Sequence, residues 1–187
     1  MRVIAGTARR LQLKTLDGFE TRPTTDRIKE TLFNMLTPYL YDCIFLDLFA
    51  GSGGIGIEAL SRGAMKAYFV DNNPNAIVCI KENLKHTRLF QKGETMPVDV
   101  LTALKRLEGN QQFDFIFMDP PYGKGLEREV LGCLLDSSLL TEDTTIILEA
   151  ALNEETDWIE NLGYHIRKVK KYKTNKHLFI EMDEEDE

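Results

Sequence analysis

Four consecutive residues, Asp119-Pro120-Pro121-Tyr122, carry the most informative chemistry in the sequence. They follow an apolar segment typical of a buried strand. Prolines at a strand end remove backbone donors and fix the chain, which leaves the carbonyls there as rigidly aimed acceptors. The Asp119 carboxylate and the Pro120 carbonyl could hold both hydrogens of a planar amino group, while Tyr122 stacks on its ring. A rigid turn would explain the prolines, but not the acid and the aromatic ring beside them.

A second motif, FLDLFAGSGGIG, lies at residues 45–56. Gly51, Gly53 and Gly56 have the G-x-G-x-x-G spacing, which lets the backbone turn sharply, lets a ligand approach the amides and points a helix N-terminus at it. The segment before the glycines is apolar and suits a buried strand. A turn without a ligand also fits this spacing, so the motif needs support from the rest of the chain.

That support comes from acidic residues that follow other predicted strands. Asp71 lies 20 residues after Gly51, where a carboxylate could accept hydrogen bonds from both ribose hydroxyls of a nucleotide-like ligand. Asp99 follows the next strand and could accept from an adenine amino group. Open α/β sheets bind ligands beyond the carboxyl ends of their strands, so we expect Asp47, Asp71, Asp99 and Asp119 around one site. Each acid alone also fits a strand end or a helix cap.

The segments that position these residues alternate between strands and helices from Cys43 onward. The predicted strands cover 43–49, 67–72, 94–99, 113–119, 144–150, 164–171 and 177–182. The predicted helices cover 54–62, 74–87, 101–108, 126–136 and 154–161. Five βα repeats imply a parallel sheet with helices on both faces, and the short link Lys173-Thr174-Asn175 forces an antiparallel final hairpin. The predicted fold class is α/β, with a seven-stranded Rossmann-like sheet that is mostly parallel and has its last strand antiparallel.

Residues 1–40 precede this pattern and are predicted to form a small extension. Short apolar and basic runs over 2–16 predict a β-hairpin, and apolar residues at helical spacing predict a helix from near Asp26 to before Pro38. The main domain is then predicted to cover 41–183, and an acidic tail covers 184–187.

Composition restricts the class of protein. The 187 residues are 43% hydrophobic and 28% charged, which suits one compact domain. No apolar run approaches the ~20 residues that cross a bilayer, so we expect a cytoplasmic protein with no membrane partner. The three histidines, His86, His165 and His177, lack ligand spacing, so no metal site is predicted and we interpret them as surface or packing residues.

The net charge of −7 argues at first against a nucleic-acid partner, because phosphate binding depends on clustered Lys and Arg. The basic residues nevertheless cluster near both ends of the chain, although solvated faces also explain such runs. The first cluster contains Arg2, Arg9, Arg10, Lys14, Arg22, Arg27 and Lys29. The second contains Arg167, Lys168, Lys170, Lys171, Lys173 and Lys176.

Taken together, these motifs resemble a known family. The glycine motif, the strand-end acids and the Asp-Pro-Pro-Tyr turn are similar to class I S-adenosylmethionine-dependent methyltransferases that act on exocyclic amino groups of bases. More narrowly, RPTTDRIKETLFNML ahead of DLFAGSGGIGIEALSRGA resembles the bacterial small-subunit (16S) ribosomal RNA guanine methyltransferases of the RsmD type. This resemblance covers nearly the whole chain. The Asp-Pro-Pro-Tyr turn alone is shared with enzymes that methylate adenine or cytosine amino groups.

The resemblance implies methyl transfer from S-adenosylmethionine to the 2-amino group of a guanine in 16S rRNA, within the small subunit or its assembly intermediate. The implied catalytic residues are Asp119, Pro120, Pro121 and Tyr122. The expected cofactor-binding residues are Asp47, Phe49, Gly51, Ser52, Gly53, Asp71, Asn72, Asp99, Val100 and Asp119. The expected RNA-binding residues are Arg9, Arg10, Arg22 and Arg27.

Alternative functions remain open at this point. A methyltransferase for another base amino group, such as adenine in DNA or RNA, could use a similar turn. An NAD-dependent oxidoreductase would use the same glycine motif and Asp71, but it leaves the Asp-Pro-Pro-Tyr turn and the final hairpin unexplained. A non-enzymatic RNA-binding module would not need the intact site residues.

Overall fold

Seven strands form one sheet in the computed structural model, which describes residues 1–16 and 26–183. The predictions for Arg22 and for the tail 184–187 therefore lie outside the described residues. The strands are β1 (Ile44–Leu48), β2 (Lys66–Val70), β3 (Gly93–Met96), β4 (Phe115–Met118), β5 (Thr145–Ala151), β6 (Tyr164–Lys171) and β7 (Asn175–Met182).

The sheet order is β3-β2-β1-β4-β5-β7-β6. The first five strands are parallel, whereas β7 is antiparallel to both β5 and β6. This arrangement confirms the predicted fold class. The chain runs outward from β1 in one direction and returns beside it as β4, so a crevice between their carboxyl ends lies at the topological switch point.

The helices connect these strands and cover both faces of the sheet. They are α1 (Asp26–Leu36), α2 (Gly54–Ser61), α3 (Pro74–His86), α4 (Val100–Leu107) and α5 (Leu126–Leu135). Helices α1, α2 and α3 contribute buried residues to one apolar core, and α4 and α5 contribute to the core on the other face. No helix in the described ranges is long and apolar enough to span a bilayer.

The helix predicted at 154–161 is wrong. This part of the chain forms turns and a three-residue 3-10 helix, Glu160–Leu162. An α-helix would need the carbonyl of Glu154 as an acceptor, but the Lys176 ammonium group donates to that oxygen at 2.6 Å. The local backbone hydrogen bonds instead join residues three apart, as from Ile159 N to the oxygen of Thr156.

The opening segment, residues 1–16, folds back on itself as predicted, although it forms an isolated antiparallel bridge, Arg2 to Gln12, and no extended strands. Three backbone hydrogen bonds cross the segment, from Val3 N to the Leu11 oxygen, from Arg10 N to the Val3 oxygen and from Leu13 N to the Met1 oxygen. The amides of Ile4 and Ala5 are used elsewhere, because both donate to the Glu58 carboxylate on α2. The segment is therefore held against the main sheet's helix layer rather than in a free hairpin.

The N-terminal segment also packs into the same core as the sheet. Val3, Ala8 and Leu13 are buried in the cluster that contains Phe45 and Phe69. A methyl group built on Gly54 would lie 2.2 Å from Met1 Sδ, so the first residue packs directly on the start of α2. Residues 1–16 therefore lie close to the glycine turn that precedes this helix.

Candidate active site

The glycine turn connects β1 to α2 as the sequence predicts. Three of its residues have left-handed backbone angles, with φ of 59° at Phe49, 55° at Gly51 and 78° at Gly53. Glycine adopts this region without cost, whereas a non-glycine residue such as Phe49 is held there by its surroundings. The turn is closed by a 2.7 Å bond from Gly53 N to the Ala50 oxygen.

The third glycine of the motif, Gly56, is required by close packing. A methyl group added there would lie 2.4 Å from the Phe69 ring, so α2 can approach β2 this closely only with glycine. The Gly56 amide donates to Asp47 Oδ2 at 2.9 Å. Asp47 is otherwise enclosed, and burial raises the pKa of its carboxyl well above the ordinary value. The motif thus places a buried acid directly beneath the turn.

Asp71 lies at the end of β2 and faces the same turn. Its Oδ2 accepts from the Gly51 amide at 2.8 Å, and its Oδ1 accepts from the Asn73 amide at 2.8 Å. Each carboxylate oxygen retains acceptor capacity for a further donor. Asn72 is exposed beside it, and Asn73 caps α3 by accepting from Asn75 N. Asp71 therefore fixes the glycine turn and presents oxygen atoms at the strand end.

Asp99 caps helix α4, and a helix cap is the alternative to a ligand contact that the sequence allows for each of these acids. Its two oxygens accept from the amide and the hydroxyl of Thr102, at 2.9 and 2.7 Å. These bonds lower the pKa of the Asp99 carboxyl. Val100, the first residue of α4, is buried. Contact between either residue and an adenine ring stays a prediction.

Asp119 directly follows β4, at the switch point. Burial and the charge of Glu149 raise the pKa of the Asp119 carboxyl to about 7. Pro120 is buried, whereas Pro121 and Tyr122 are exposed, the tyrosine by 55%. The turn therefore combines an enclosed acceptor with an accessible aromatic ring. Ser52 lies in the facing glycine turn, and its carbonyl accepts from Asn83 Nδ2 on α3.

A buried polar network lies beside Asp119, and the sequence did not predict it. Glu149 on β5 lies 3.0 Å from His177 Nε2 and also accepts from Asn175 Nδ2. The Tyr172 hydroxyl lies 3.2 Å from His177 Nδ1. The interpretation of His177 as an ordinary packing residue is thus incomplete. An acid inside the apolar strand TIILEAA was the available signal, since a charge there requires buried partners.

The predicted RNA-binding residues occupy different environments. Arg9 and Arg10 are exposed at the turn of the N-terminal segment, and Arg27 is exposed on α1. Lys29, which belongs to the same cluster in sequence, is fully buried and lies 3.4 Å from Glu58 Oε2. Lys176 of the second cluster is also buried. Neither lysine therefore contributes to a basic surface.

Comparisons with known proteins identify relatives of this chain. The family model described as conserved hypothetical protein 95 matches residues 1–181. A protein of Haemophilus influenzae named Ribosomal RNA small subunit methyltransferase D is 37% identical over 150 residues, which cover 80% of this chain and 78% of the relative. The chain belongs to the RsmD-type family.

Two other relatives match over most of their length. The Bacillus subtilis protein YlbH, named as a candidate rRNA methyltransferase, is 44% identical over 167 residues, covering 87% of this chain and 88% of its own. A solved structure of a hypothetical protein from Thermus thermophilus superposes with a TM-score of 0.83 at 29% identity, covering 97% and 99% of the two chains. The structural neighbours of this chain include class I methyltransferases, and the chain shares their fold.

Proposed function

We propose that this protein transfers a methyl group from S-adenosylmethionine to the exocyclic 2-amino group of a guanine in small-subunit rRNA. Membership of the RsmD-type family supports an S-adenosylmethionine-dependent rRNA methyltransferase. The observation that carries the finer proposal is the enclosed Asp119 acceptor beside the exposed Tyr122, opposite the glycine turn. We further propose that it works in the cytoplasm, on the assembled or partly assembled subunit.

The acidic strand ends suit a cationic cofactor. The charges of Asp71 and Asp119 both act on Asp47, which lies near the end of β1, and Asp71 and Asp119 each directly follow a parallel strand. S-adenosylmethionine carries positive charge on its sulfonium and amino groups, which carboxylates attract. We propose that the glycine turn and Asp71 hold the cofactor, with Asp47 fixing the start of α2 beneath the turn through its bond to the Gly56 amide. When bound, the cofactor supplies the methyl group.

Asp119 and the Pro-Pro turn would perform the protein's part of the transfer. A guanine amino group is a poor nucleophile, because its lone pair is delocalised into the ring. The Asp119 carboxylate and the Pro120 carbonyl can each accept one amino hydrogen and fix the nitrogen's direction. Tyr122 can stack on the base from the open side of the site. Such positioning can contribute on the order of 7–11 kcal/mol to lowering a barrier.

Replacing Asp71 should weaken the cofactor's binding. We expect Asp71→Ala to reduce S-adenosylmethionine affinity by about 1.5–3 kcal/mol, since hydrogen bonds to a charged group are lost. Isothermal titration calorimetry measures this, and cofactor-free thermal unfolding of the same variant checks that the glycine turn survives. Asp99→Ala serves as the comparison and should weaken binding less, because water can replace a single contact. Unchanged affinity in Asp71→Ala would remove this residue from the site.

We propose that the N-terminal extension, residues 1–40, contributes the main RNA contacts. Arg9 and Arg10 are exposed at the turn of the N-terminal segment, and the preceding residues Thr7 and Ala8 donate to Ser61 at the C-terminal end of α2. A bare methyltransferase domain would not need this segment. The basic edge strand β6 offers Lys170 and Lys171 as a second phosphate-binding surface.

Measuring RNA affinity at a series of salt concentrations distinguishes the contributions of these two surfaces. Arg9→Gln/Arg10→Gln should lower RNA affinity and reduce the slope of log affinity against log salt by about 2, because each arginine releases about one counterion. Lys170→Gln/Lys171→Gln is the charge-matched control and should reduce the slope less. Both double variants should bind S-adenosylmethionine normally. A larger loss in the lysine variant would transfer the main RNA contact to β6.

Transfer of radiolabelled methyl groups tests the substrate class. We expect label on small-subunit rRNA, offered as naked RNA and as partly assembled subunits, and none on duplex DNA. Label on DNA adenine would favour the alternative that shares the Asp-Pro-Pro-Tyr turn. Calorimetric binding of NAD without binding of S-adenosylmethionine would instead favour the oxidoreductase.

A further inference from the structure

Three buried or half-buried side chains lie in one row across the sheet. Strands β4 and β5 pair Met118 with Leu148, so the next residues, Asp119 just beyond β4 and Glu149 within β5, come level with each other. Strands β5 and β7 pair Glu149 directly with His177. Neighbouring strands lie about 4.8 Å apart, and residues level in a sheet share a face. Glu149 therefore stands between the proposed acceptor and the histidine.

The hydrogen bonds of this row have a consistent direction. Neutral histidine donates from one ring nitrogen and accepts at the other. Here the Tyr172 hydroxyl can donate to His177 Nδ1, and His177 Nε2–H can donate to Glu149 Oε2. Asn175 Nδ2–H donates to Glu149 Oε1. Both carboxylate oxygens of Glu149 thus accept from neutral donors, the arrangement that stabilises an ionised carboxylate.

This arrangement places the Glu149 carboxyl group in an enclosed position beside Asp119. Glu149 is 7% exposed and His177 is fully buried, with the Phe117 ring packed edge-on against the imidazole. Within residues 1–16 and 26–183, His177 is the sole side chain within ion-pair distance of Glu149. With a neutral imidazole, the row carries one net negative charge when Asp119 is protonated and two when it is ionised. Like charges in an enclosed site oppose the second ionisation.

We infer that Glu149, held by His177 and Asn175, is a positioning residue that sets the pH at which Asp119 becomes an ionised acceptor. This inference rests on the proposed function, in which Asp119 holds the target amino group. A protonated Asp119 offers a donor hydrogen where the amino group needs an acceptor. Because of Glu149, the rate of methyl transfer should therefore fall as the pH drops below neutrality and Asp119 becomes protonated. Glu149 also makes the ionised Asp119 a stronger acceptor for the proton that the amino nitrogen must lose.

Other ionisable groups also face Asp119. Asp47 on β1 interacts electrostatically with Asp119, Asp71 follows β2 and acts on Asp47, and His177 and Tyr172 lie on the other side of Glu149. Burial, and next the charge of Glu149, raise the pKa of the Asp119 carboxyl. Substitution at Glu149 should therefore change the titration of Asp119 more than changes at the outer members of the row.

The test is a carboxyl-carbon NMR titration of the cofactor-free protein labelled at aspartate. Wild-type Asp119 should titrate near pH 7, and Glu149→Gln should move its midpoint lower by about 1–2 pH units. Glu149→Asp keeps the charge and should leave the midpoint high. Tyr172→Phe disturbs the row without changing its charge, and Glu181→Gln removes a partly exposed charge elsewhere on β7. Both should titrate like the wild type.

The pH dependence of single-turnover methyl transfer should show the same shifts. A wild-type Asp119 midpoint near pH 4 overturns the inference even where Glu149→Gln does not fold. An unchanged midpoint in a folded Glu149→Gln protein also overturns it. If the NMR midpoint moves but the pH–rate profile does not, Glu149 still controls the ionisation of Asp119, and it is the proposed role of Asp119 in transfer that fails.

Discussion

Asp119→Asn is expected to retain a measurable fraction of methyl transfer, whereas Asp119→Ala should lose about 10²–10⁴-fold of the single-turnover rate. Asparagine keeps a side-chain oxygen that can accept an amino hydrogen, although it is less basic and adds a competing donor. Alanine removes the acceptor altogether. Both variants should bind S-adenosylmethionine nearly normally, because we place this residue against the base.

The comparison separates orientation from proton acceptance. Rates are measured at saturating cofactor, across the pH range in which wild-type Asp119 ionises. Asparagine does not titrate, so the rate of the Asp119→Asn variant should not show the fall below about pH 7 that the wild type shows. A loss for Asp119→Asn as deep as that for Asp119→Ala would show that proton acceptance outweighs orientation.

Glu58→Ala is expected to cause the largest loss of stability. Glu58 is fully buried, and its oxygens pair with Lys29 at 3.4 Å and with Arg62 at 2.8 Å. They also accept the amides of Ile4 and Ala5, which attach the N-terminal segment to α2. Removing one member of a buried charge network leaves the other charges uncompensated, which typically costs about 3–5 kcal/mol.

Urea unfolding measures this effect. Glu82→Ala is the matched control, because Glu82 also pairs with a lysine, Lys14, but on the surface. We expect the control to unfold almost like the wild type, since exposed ion pairs contribute little. Equal stability of Glu58→Ala and Glu82→Ala would contradict the structural role assigned to the buried network.

The sequence was informative where local spacing determines geometry. The glycine motif and the strand-end acids could be placed because a parallel sheet collects the carboxyl ends of its strands at one edge. The helix predicted at 74–87 forms as α3, whose start is fixed locally by the Asn73 cap and by Pro74 in its first turn. The confirmed fold follows from these repeated local patterns and from the short link before β7.

The unpredicted features depend on pairs that are distant in the chain. Glu149 meets His177 only because β7 turns back beside β5, and that register is not readable from either segment alone. Lys29 looked like part of a basic surface, but α1 packs it against Glu58. The helix predicted at 154–161 failed for a similar reason, since Lys176 takes the Glu154 carbonyl from across the fold.

Mass spectrometry of nucleosides from ribosomal RNA tests the central claim most directly. RNA is prepared from cells with and without this protein, and from cells that carry Asp119→Ala. We predict N2-methylguanosine in small-subunit rRNA when the intact protein is present, with a matching loss in its absence and in the variant. Unchanged N2-methylguanosine in all three samples, or a loss of methylated adenosine instead, would contradict the proposed function.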